Sequence, residues 1–352
     1  MERFIAVDSG KFATKVACYD KNLNETKMFR FRTRIGEGSF EDDALESNSY
    51  IVEIDGKTYK VGNGAKREAE LNSSKTSEEH KVCTLTAIAL LVGDGVDDVN
   101  VAIGLPFKEW EIVEKRNAYK NYILPEGEIT VTLMTSSNAP AVTKTFCIKN
   151  RYVFPESIGA LYLDNMEEYI DSTAAVIDIG NLNINCTQWN NFEPDKEASL
   201  TGELGGNTLI SGLATELSAE FGRVNETLVA RKLLLPKEER FLTPTSGKES
   251  DIPERSKKFI DRYMIEHARK IRRACDAKQW SLDFMKLIFI GGTSEILKNE
   301  IYEVFGDTVY IPEHPEYANV LGFLRLLGAK TLNTIIPLPR KKETVVEVEK
   351  SA

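Results

Sequence analysis

The chain has few of the residues on which disulfide-linked and metal-binding proteins depend. Its five cysteines are odd in number and scattered, with no CxxC spacing: Cys18, Cys83, Cys147, Cys186 and Cys275. This usage predicts reduced intracellular thiols and argues against a disulfide framework or a zinc site. The three histidines, His80, His267 and His314, lie too far apart in sequence to suggest a metal cluster.

The sequence also has no long apolar run and no excess of basic residues. No apolar stretch approaches the ~18–20 residues that span a bilayer. The N-terminus enters a strand-like run with no signal peptide, so we expect a cytoplasmic protein without membrane association. Its 45 basic and 54 acidic side chains give a formal net charge of −9. That balance argues against direct nucleic-acid binding and suits a basic protein partner.

What the sequence does have is the composition of a globular protein, with 42% apolar and 28% charged residues. Its 352 residues are expected to form two domains of ordinary size. An acidic, Gly/Ser-rich segment and a hairpin with an Asp-Gly turn predict an insertion in the first domain. The expected organisation is a first lobe of residues 1–155 plus about 318–335 with its insertion at about 30–75, a second lobe of 156–317, and a disordered tail of 336–352.

Two apolar strands that each end in Asp-x-Gly are the most informative feature of the chain. They end at Asp8-Ser9-Gly10 and at Asp178-Ile179-Gly180, which lie 170 positions apart (178 − 8). Glycine lets the backbone turn sharply and leaves N–H groups free to face an anion. An aspartate at each turn can hold the hydration shell of Mg²⁺ against phosphates. A third buried strand runs into Gly291-Gly292-Thr293, and the three signals in this order predict a nucleotide clamp of two lobes.

In this order, the segments resemble the superfamily of actin, heat-shock chaperones and sugar kinases, and most closely the bacterial plasmid-segregation actins of the ParM type. The resemblance covers residues 1 to about 332. It rests on the two Asp-x-Gly loops, Val101–Pro106 as the first connection between lobes, Pro155-Glu156-Ser157 as the segment with the acidic hydrolysis residue, and Ile290–Thr293 as the adenosine segment. The second phosphate loop departs from the usual pattern by carrying Asn181-Leu182-Asn183, whose amides can still donate to phosphate oxygens.

The resemblance implies an α/β, actin-like two-lobed fold with duplicated ribonuclease-H-like domains around a nucleotide cleft. It further implies ATP, with GTP as the alternative nucleotide, and Mg²⁺ held through water by Asp8 and Asp178. Glu156 would orient or deprotonate the attacking water, and the catalytic set would be Glu156, Asp178 and Asp8. The expected nucleotide-binding residues are Asp8, Ser9, Gly10, Lys11, Gly180, Asn181, Asn183, Gly205, Gly206, Asn207, Glu226, Lys270, Arg273, Gly291, Gly292 and Thr293.

Each assignment has a plainer structural alternative. Asp8 and Asp178 can be turn residues that end strands, and Lys11 a solvated hairpin lysine. Glu156 can be an ordinary glutamate that favours a helix N-terminus. Charges on a helix, such as Lys270, more often form a solvated face. For the two aspartates, the matched contexts favour the functional interpretation.

The expected function is an actin-like ATPase that polymerises into nucleotide-dependent filaments to segregate plasmid DNA, with hydrolysis triggering disassembly. Its partners would be further copies of itself and a DNA-binding adaptor protein of the ParR type. The alternative is a monomeric ATPase that acts as a small-molecule kinase or as a chaperone-like switch. A kinase needs a second substrate pocket, and no further acidic motif suggests one.

Overall fold

The structure is a computed structural model that describes residues 2–42, 45–68, 74–163, 166–244 and 251–339. The chain divides into two compact units, which we describe separately. The first comprises Met1–Asp164 and Tyr317–Ala352, and the second comprises Asn165–Glu316. Parts of the predicted insertion, at 43–44 and 69–73, lie outside the described residues, as does most of the predicted tail, at 340–352.

The chain contains both strands and helices in each unit. The strands are β1 Arg3–Ser9, β2 Ala13–Asp20, β3 Glu25–Arg32, β4 Arg34–Glu37, β5 Ser49–Ile54, β6 Lys57–Gly62, β7 Arg67–Glu68, β8 Val96–Leu105, β9 Glu128–Met134, β10 Val142–Pro155, β11 Thr173–Ile179, β12 Ile184–Asn190, β13 Glu193–Gly202 and β14 Lys286–Ile290. The helices are α1 Glu78–Ala89, α2 Phe107–Trp110, α3 Val113–Ile123, α4 Ile158–Leu161, α5 Gly206–Phe221, α6 Glu226–Leu233, α7 Ile252–Asp276, α8 Gly292–Ile296, α9 Lys298–Phe305 and α10 Ala318–Leu332. The predicted α/β class is confirmed.

The first unit is built on a ten-stranded mixed sheet in the order β3-β2-β1-β8-β10-β9-β5-β6-β4-β7. Strands β1, β8 and β10 are parallel neighbours, so their carboxyl ends share one edge of the sheet. The predicted insertion forms β4 to β7, which continue the same sheet through the antiparallel pair of β5 and β9. The sheet therefore runs without a break into the inserted strands.

The central strands of the first unit are apolar on both faces because helices cover both. Alternate residues such as Ile5 and Val7 join the core cluster with Leu85 of α1. On β8, Gly104 leaves space for the ring of Phe323 in α10. A strand that is covered on both faces usually consists of an almost continuous run of apolar residues. The sequence has such runs at 4–8 and 99–105.

The second unit has a four-stranded sheet in the order β13-β12-β11-β14, in which β11 and β14 are parallel. Helix α7 covers its core along one apolar stripe that includes Ile260, Met264, Ile271 and Cys275, at the spacing of one helix face. In the described parts of the chain, no helix combines the length and the apolar character needed to cross a membrane.

The sequence pattern predicts a charged helix at 108–121 and another helix that begins near Ile158, and both differ from the structure. The helix expected at 108–121 is split into α2 and α3, because Ile112 is extended and the Trp110 indole donates to the Val153 carbonyl, 2.8 Å away. The helix expected from Ile158 is the single turn α4. The first residue of the tail that we expected to be disordered, Ile336, is buried and packs beside Gly328 of α10. The beginning of that segment is therefore packed on the first unit.

Candidate functional site

The first unit gathers the predicted site residues at the carboxyl edge of its parallel strands. Asp8 lies near the end of β1, and Glu156 follows the last residue of β10. The Glu156 N–H donates to the Leu105 carbonyl at 2.8 Å, which ties it to the end of β8. Both carboxylates are mostly buried, as their side-chain exposures of 8% and 14% show. The structure thus brings Asp8 and Glu156 into one buried site.

Lys75 joins these two carboxylates, and the sequence analysis missed it. Its ammonium lies 2.9 Å from Glu156 Oε1 and 3.8 Å from Asp8 Oδ1. It also donates to the Ser9 carbonyl at 2.8 Å. No local pattern marks Lys75, because its partners lie 66 or more positions away along the chain.

Burial and charge act in opposite directions on Lys75. Burial by itself lowers the pKa of its ammonium, but the Glu156 and Asp8 carboxylates outweigh that effect and the net pKa is raised. Lys75 is therefore charged at any physiological pH. The pKa values of two neighbouring side chains are also shifted. Burial raises the pKa of Tyr119, and burial together with the charges of Lys75 and Lys11 lowers the pKa of His80 to about 3.

The turn after β1 is held by its own hydrogen bonds. The Gly10 N–H donates to the Asp8 carbonyl at 3.0 Å and to the Ala13 carbonyl at 3.1 Å. The hydroxyl groups of Ser9 and Thr14 lie 3.1 Å apart. Lys11 is half-buried on this turn, close enough to His80 to act on its pKa. The predicted first phosphate loop is therefore a compact turn with a cation at its tip.

Glu156 is positioned by a strained residue. Ser157, which follows it, has a left-handed φ of 76° and is buried. Its N–H donates to Asn319 Oδ1 of α10 at 2.9 Å. A non-glycine residue in this region costs about 1–3 kcal/mol and persists where surrounding contacts fix it, often at functional sites.

In the second unit, three loops converge at the carboxyl edge of β11 and β14. The Gly206 N–H donates to the Gly180 carbonyl at 3.0 Å, and the Asn207 N–H to the Asn181 carbonyl at 2.6 Å. The Thr293 hydroxyl donates to the same Gly180 carbonyl at 2.9 Å. The turn that follows Asp178, the N-terminus of α5 and the turn after β14 therefore form one backbone-lined site.

Glycine is required at two points of this site. A Cβ at Gly205 would lie 2.6–2.7 Å from backbone atoms of residues 181–183, including Asn183 N. Gly291 has a φ of 90°, and a Cβ there would lie 2.5 Å from Asp178 Oδ1. The glycines let α5 and the turn after β14 approach the β11 turn, so the N-terminus of helix α5 lies against that turn, and a helix N-terminus favours a bound anion.

Three predicted binding residues lie on helices outside these loops. Glu226 is the first residue of α6, which Asn225 caps. The Lys270 ammonium lies 5.9 Å from the ring centre of Tyr263, and Arg273 is paired with Glu266 on its own helix. Within the described residues, no recorded contact joins these three to the glycine loops.

The donor set suits a hard cation. Asp8 and Asp178 each present carboxylate oxygens near the end of a buried strand beside a glycine turn. Mg²⁺ is usually bound by one or two carboxylates, with water and phosphate completing its shell. Among the described residues, no group of three or more histidine, cysteine or acidic side chains forms a metal site. Each aspartate, within its own unit, is therefore a donor of the type that Mg²⁺ accepts.

The comparison with known proteins begins with a family model. Residues 6–159, somewhat less than half of the chain, match the model described as the N-terminal domain of actin-like proteins. No curated protein sequence matches the chain. The matched region and the fold agree, and the predicted actin-like fold is confirmed.

Solved structures superpose on almost the whole chain. A 15-stranded ParM filament from Clostridium botulinum superposes with a TM-score of 0.66 at 20% identity, over 93% of this chain and 99% of that one. An archaeal actin homologue in complex with ADP gives 0.66 at 22%, over 91% and 97%. The Alp12 filament gives 0.70 at 22%, over 94% and 99%. The predicted resemblance to ParM-type actins is thus confirmed at the level of the fold.

Proposed function

We propose that this protein is an actin-like ATPase that polymerises into nucleotide-dependent filaments and so segregates plasmid DNA. The observation that carries the proposal is the buried cluster of Asp8, Lys75 and Glu156 at the strand ends of the first unit. An acid–base group, a carboxylate for a hydrated cation and a cation for phosphate are the parts that phosphoryl transfer to water uses. The second unit adds the N-terminus of helix α5, whose dipole favours a phosphate.

Each residue then has a role in hydrolysis. Glu156 orients the attacking water and accepts its proton, a contribution of about 10²–10⁴-fold in rate. Lys11 and the turns that follow β1 and β11 would bind the phosphates, and the segment at Gly291, Gly292 and Thr293 would bind the adenosine. Asp8 and Asp178 would hold Mg²⁺ through water, and the ion would supply positive charge that stabilises the phosphates. ATP is the proposed nucleotide, with GTP as the alternative.

Filament formation is proposed from two observations. Two of the superposed structures are structures of filaments. The second unit also exposes apolar side chains at the edge opposite its glycine loops, with Phe284 90% exposed and Ile170 56% exposed. Exposed apolar groups of this size commonly mark protein contacts. Hydrolysis would then make the filament unstable and cause disassembly.

The DNA contact is proposed to be indirect. A net charge of −9 disfavours direct binding to DNA, which needs a basic surface. A DNA-binding adaptor protein of the ParR type would bind the filament and the plasmid together. The proposed location is the cytoplasm.

Light scattering with Mg-ATP at micromolar protein tests the proposal. We expect wild type to show a rise followed by decay, and the Glu156→Ala variant to show a rise that persists. Glu114→Ala, on an exposed turn of α3, is the matched control and should behave as wild type. Nucleotide binding without scattering in any of the three proteins would contradict filament formation and favour the monomeric kinase or switch.

A further inference from the structure

We propose that Lys75 is an internal counter-ion: without nucleotide it occupies the cation position between Asp8 and Glu156, and it exchanges these carboxylates for phosphate oxygens when a nucleoside triphosphate binds. The inference rests on the proposed function and adds to it a group that distinguishes triphosphate from diphosphate. It concerns only residues of the first unit, whose mutual geometry is described above.

The first step is that the Lys75 ammonium is bound entirely by protein groups. Lys75 is only 7% exposed, so water does not hold its charge. Its contacts are the Ser9 carbonyl at 2.8 Å, Glu156 Oε1 at 2.9 Å and Asp8 Oδ1 at 3.8 Å. All three are oxygens, the donor type that a magnesium ion also prefers. The ammonium therefore occupies a position built for a cation.

The second step concerns charge. Two buried carboxylates and one ammonium leave a net charge of −1, whereas the carboxylates alone would leave −2 in a poorly hydrated place. Removing one partner from a buried ion pair leaves a charge without compensation, which is strongly unfavourable. Some cation must therefore accompany Asp8 and Glu156 whenever both are ionised. In this structure that cation is Lys75.

The contact with Lys75 also affects the reactivity of Glu156. The hydrogen bond from Lys75 occupies a lone pair of Glu156 Oε1 and fixes the orientation of the carboxylate, so the ammonium and the attacking water compete for the same group. A bound γ-phosphate offers Lys75 new anionic oxygens, and the exchange releases Glu156 to act on the attacking water. A diphosphate lacks the γ-phosphate oxygens, so Lys75 then keeps its contacts with the two carboxylates. The ammonium thereby couples the identity of the nucleotide to the activity of Glu156, through a difference in affinity between the two arrangements.

The test uses full-length Lys75→Met, which keeps the length of the side chain and removes its charge, with Lys75→Arg as the control that keeps a cation. The first readout is the melting temperature of nucleotide-free protein with and without Mn²⁺. We expect Mn²⁺ to raise the melting temperature of the Lys75→Met variant, because the vacated oxygens then bind a divalent cation. Wild type and Lys75→Arg should show no such rise.

The second readout is the affinity ratio of fluorescent ATP and ADP analogues. We expect the preference of wild type for the triphosphate to shrink about tenfold in Lys75→Met, the magnitude of one lost hydrogen bond between charged groups. If Lys75→Met does not fold, the double variant Lys75→Met/Glu156→Gln removes the uncompensated charge. That variant should recover folding, lose the triphosphate preference and show no Mn²⁺ response.

The outcomes separate the two proposals. Failure of wild type to bind either nucleotide would overturn the proposed function itself. Nucleotide binding with an unchanged affinity ratio in the Lys75 variants and no Mn²⁺ response in Lys75→Met would overturn the exchange, while leaving the ATPase proposal in place. A double variant that still prefers the triphosphate as wild type does would overturn it as well.

Discussion

Gly159 and Gly322 lie in direct backbone contact within the first unit. A Cβ added to Gly322 would overlap the carbonyl group of Gly159, and one added to Gly159 would lie 2.5 Å from the Asn319 carbonyl oxygen. This contact joins α4 to α10 immediately beside Ser157, whose N–H is bound by the Asn319 side chain. The close approach of two helices therefore fixes the backbone that carries Glu156.

Gly322→Ala should destabilise the protein by about 1–3 kcal/mol, the usual range for overpacking a tight core. The added methyl group meets backbone, which cannot move aside as a side chain can. Urea unfolding measures the loss. Gly212→Ala is the control, because its Cβ would meet only the terminal hydroxyl of Tyr263, at the end of a rotatable side chain. Equal stability of Gly322→Ala and wild type would show that α4 and α10 can separate freely.

Gly205→Ala should weaken nucleotide binding with little effect on global folding. Its Cβ would press on the backbone of residues 181–183 and separate the N-terminus of α5 from the β11 turn. We expect a loss of about tenfold or more in affinity, since one charge-assisted hydrogen bond has that magnitude. Titration with a fluorescent ADP analogue measures it.

The control for that titration is Gly202→Ala, three residues earlier, whose Cβ would make only an ordinary contact with Ile184 at 3.5 Å. It should bind nucleotide as wild type does. Wild-type affinity in Gly205→Ala would mean that the three glycine loops do not form the nucleotide site.

The parts of the fold that follow from local sequence could be predicted. Strands β1 and β11 are short apolar runs that end in Asp-x-Gly, and each was found at its expected place. The apolar residues of the segment at about 254–278 recur at helical spacing over many turns, which predicts one long amphipathic helix, and α7 spans Ile252–Asp276. Periodicity of this kind is a property of the segment itself.

Features that depend on distant partners could not be predicted. Lys75 becomes part of the site only because Ser9 and Glu156, which lie 66 and 81 positions away, meet it in the folded sheet (75 − 9 and 156 − 75). The break between α2 and α3 depends in the same way on the contact of Trp110 with Val153. Short segments carry no signal for such contacts, because the partner is set by the topology of the sheet.

His80 should make the protein less stable in mild acid. Burial and the nearby charges of Lys75 and Lys11 lower its pKa from 6.5 in the unfolded chain to about 3 in the folded one. Above pH 6.5 the ring is neutral in both states and has no effect on pH dependence. As the pH falls below 6.5, only the unfolded state takes up the proton, so stability falls until about pH 3.

The expected loss due to His80 between pH 7 and pH 5 is about 2 kcal/mol. Urea unfolding of wild type and His80→Gln at both pH values isolates it, because every other titrating group is common to the two proteins. If both proteins lose the same stability between these pH values, the prediction is wrong, because folding then does not lower the pKa of His80.

Phe284→Glu should impair self-association while leaving nucleotide binding intact. Phe284 ends a short helical turn whose preceding Leu282 is buried, so the chain holds the ring outward, 90% exposed. It precedes β14 and lies near Ile170, which precedes β11, at the edge opposite the glycine loops. A charge there disfavours burial in any contact with another copy, and we expect the critical concentration in a pelleting assay to rise about tenfold or more.

Leu23→Glu, at a 58% exposed position in the β2–β3 turn, is the control for adding a charge to an exposed apolar site. An unchanged critical concentration for Phe284→Glu would exclude this edge of the second unit from the filament contact.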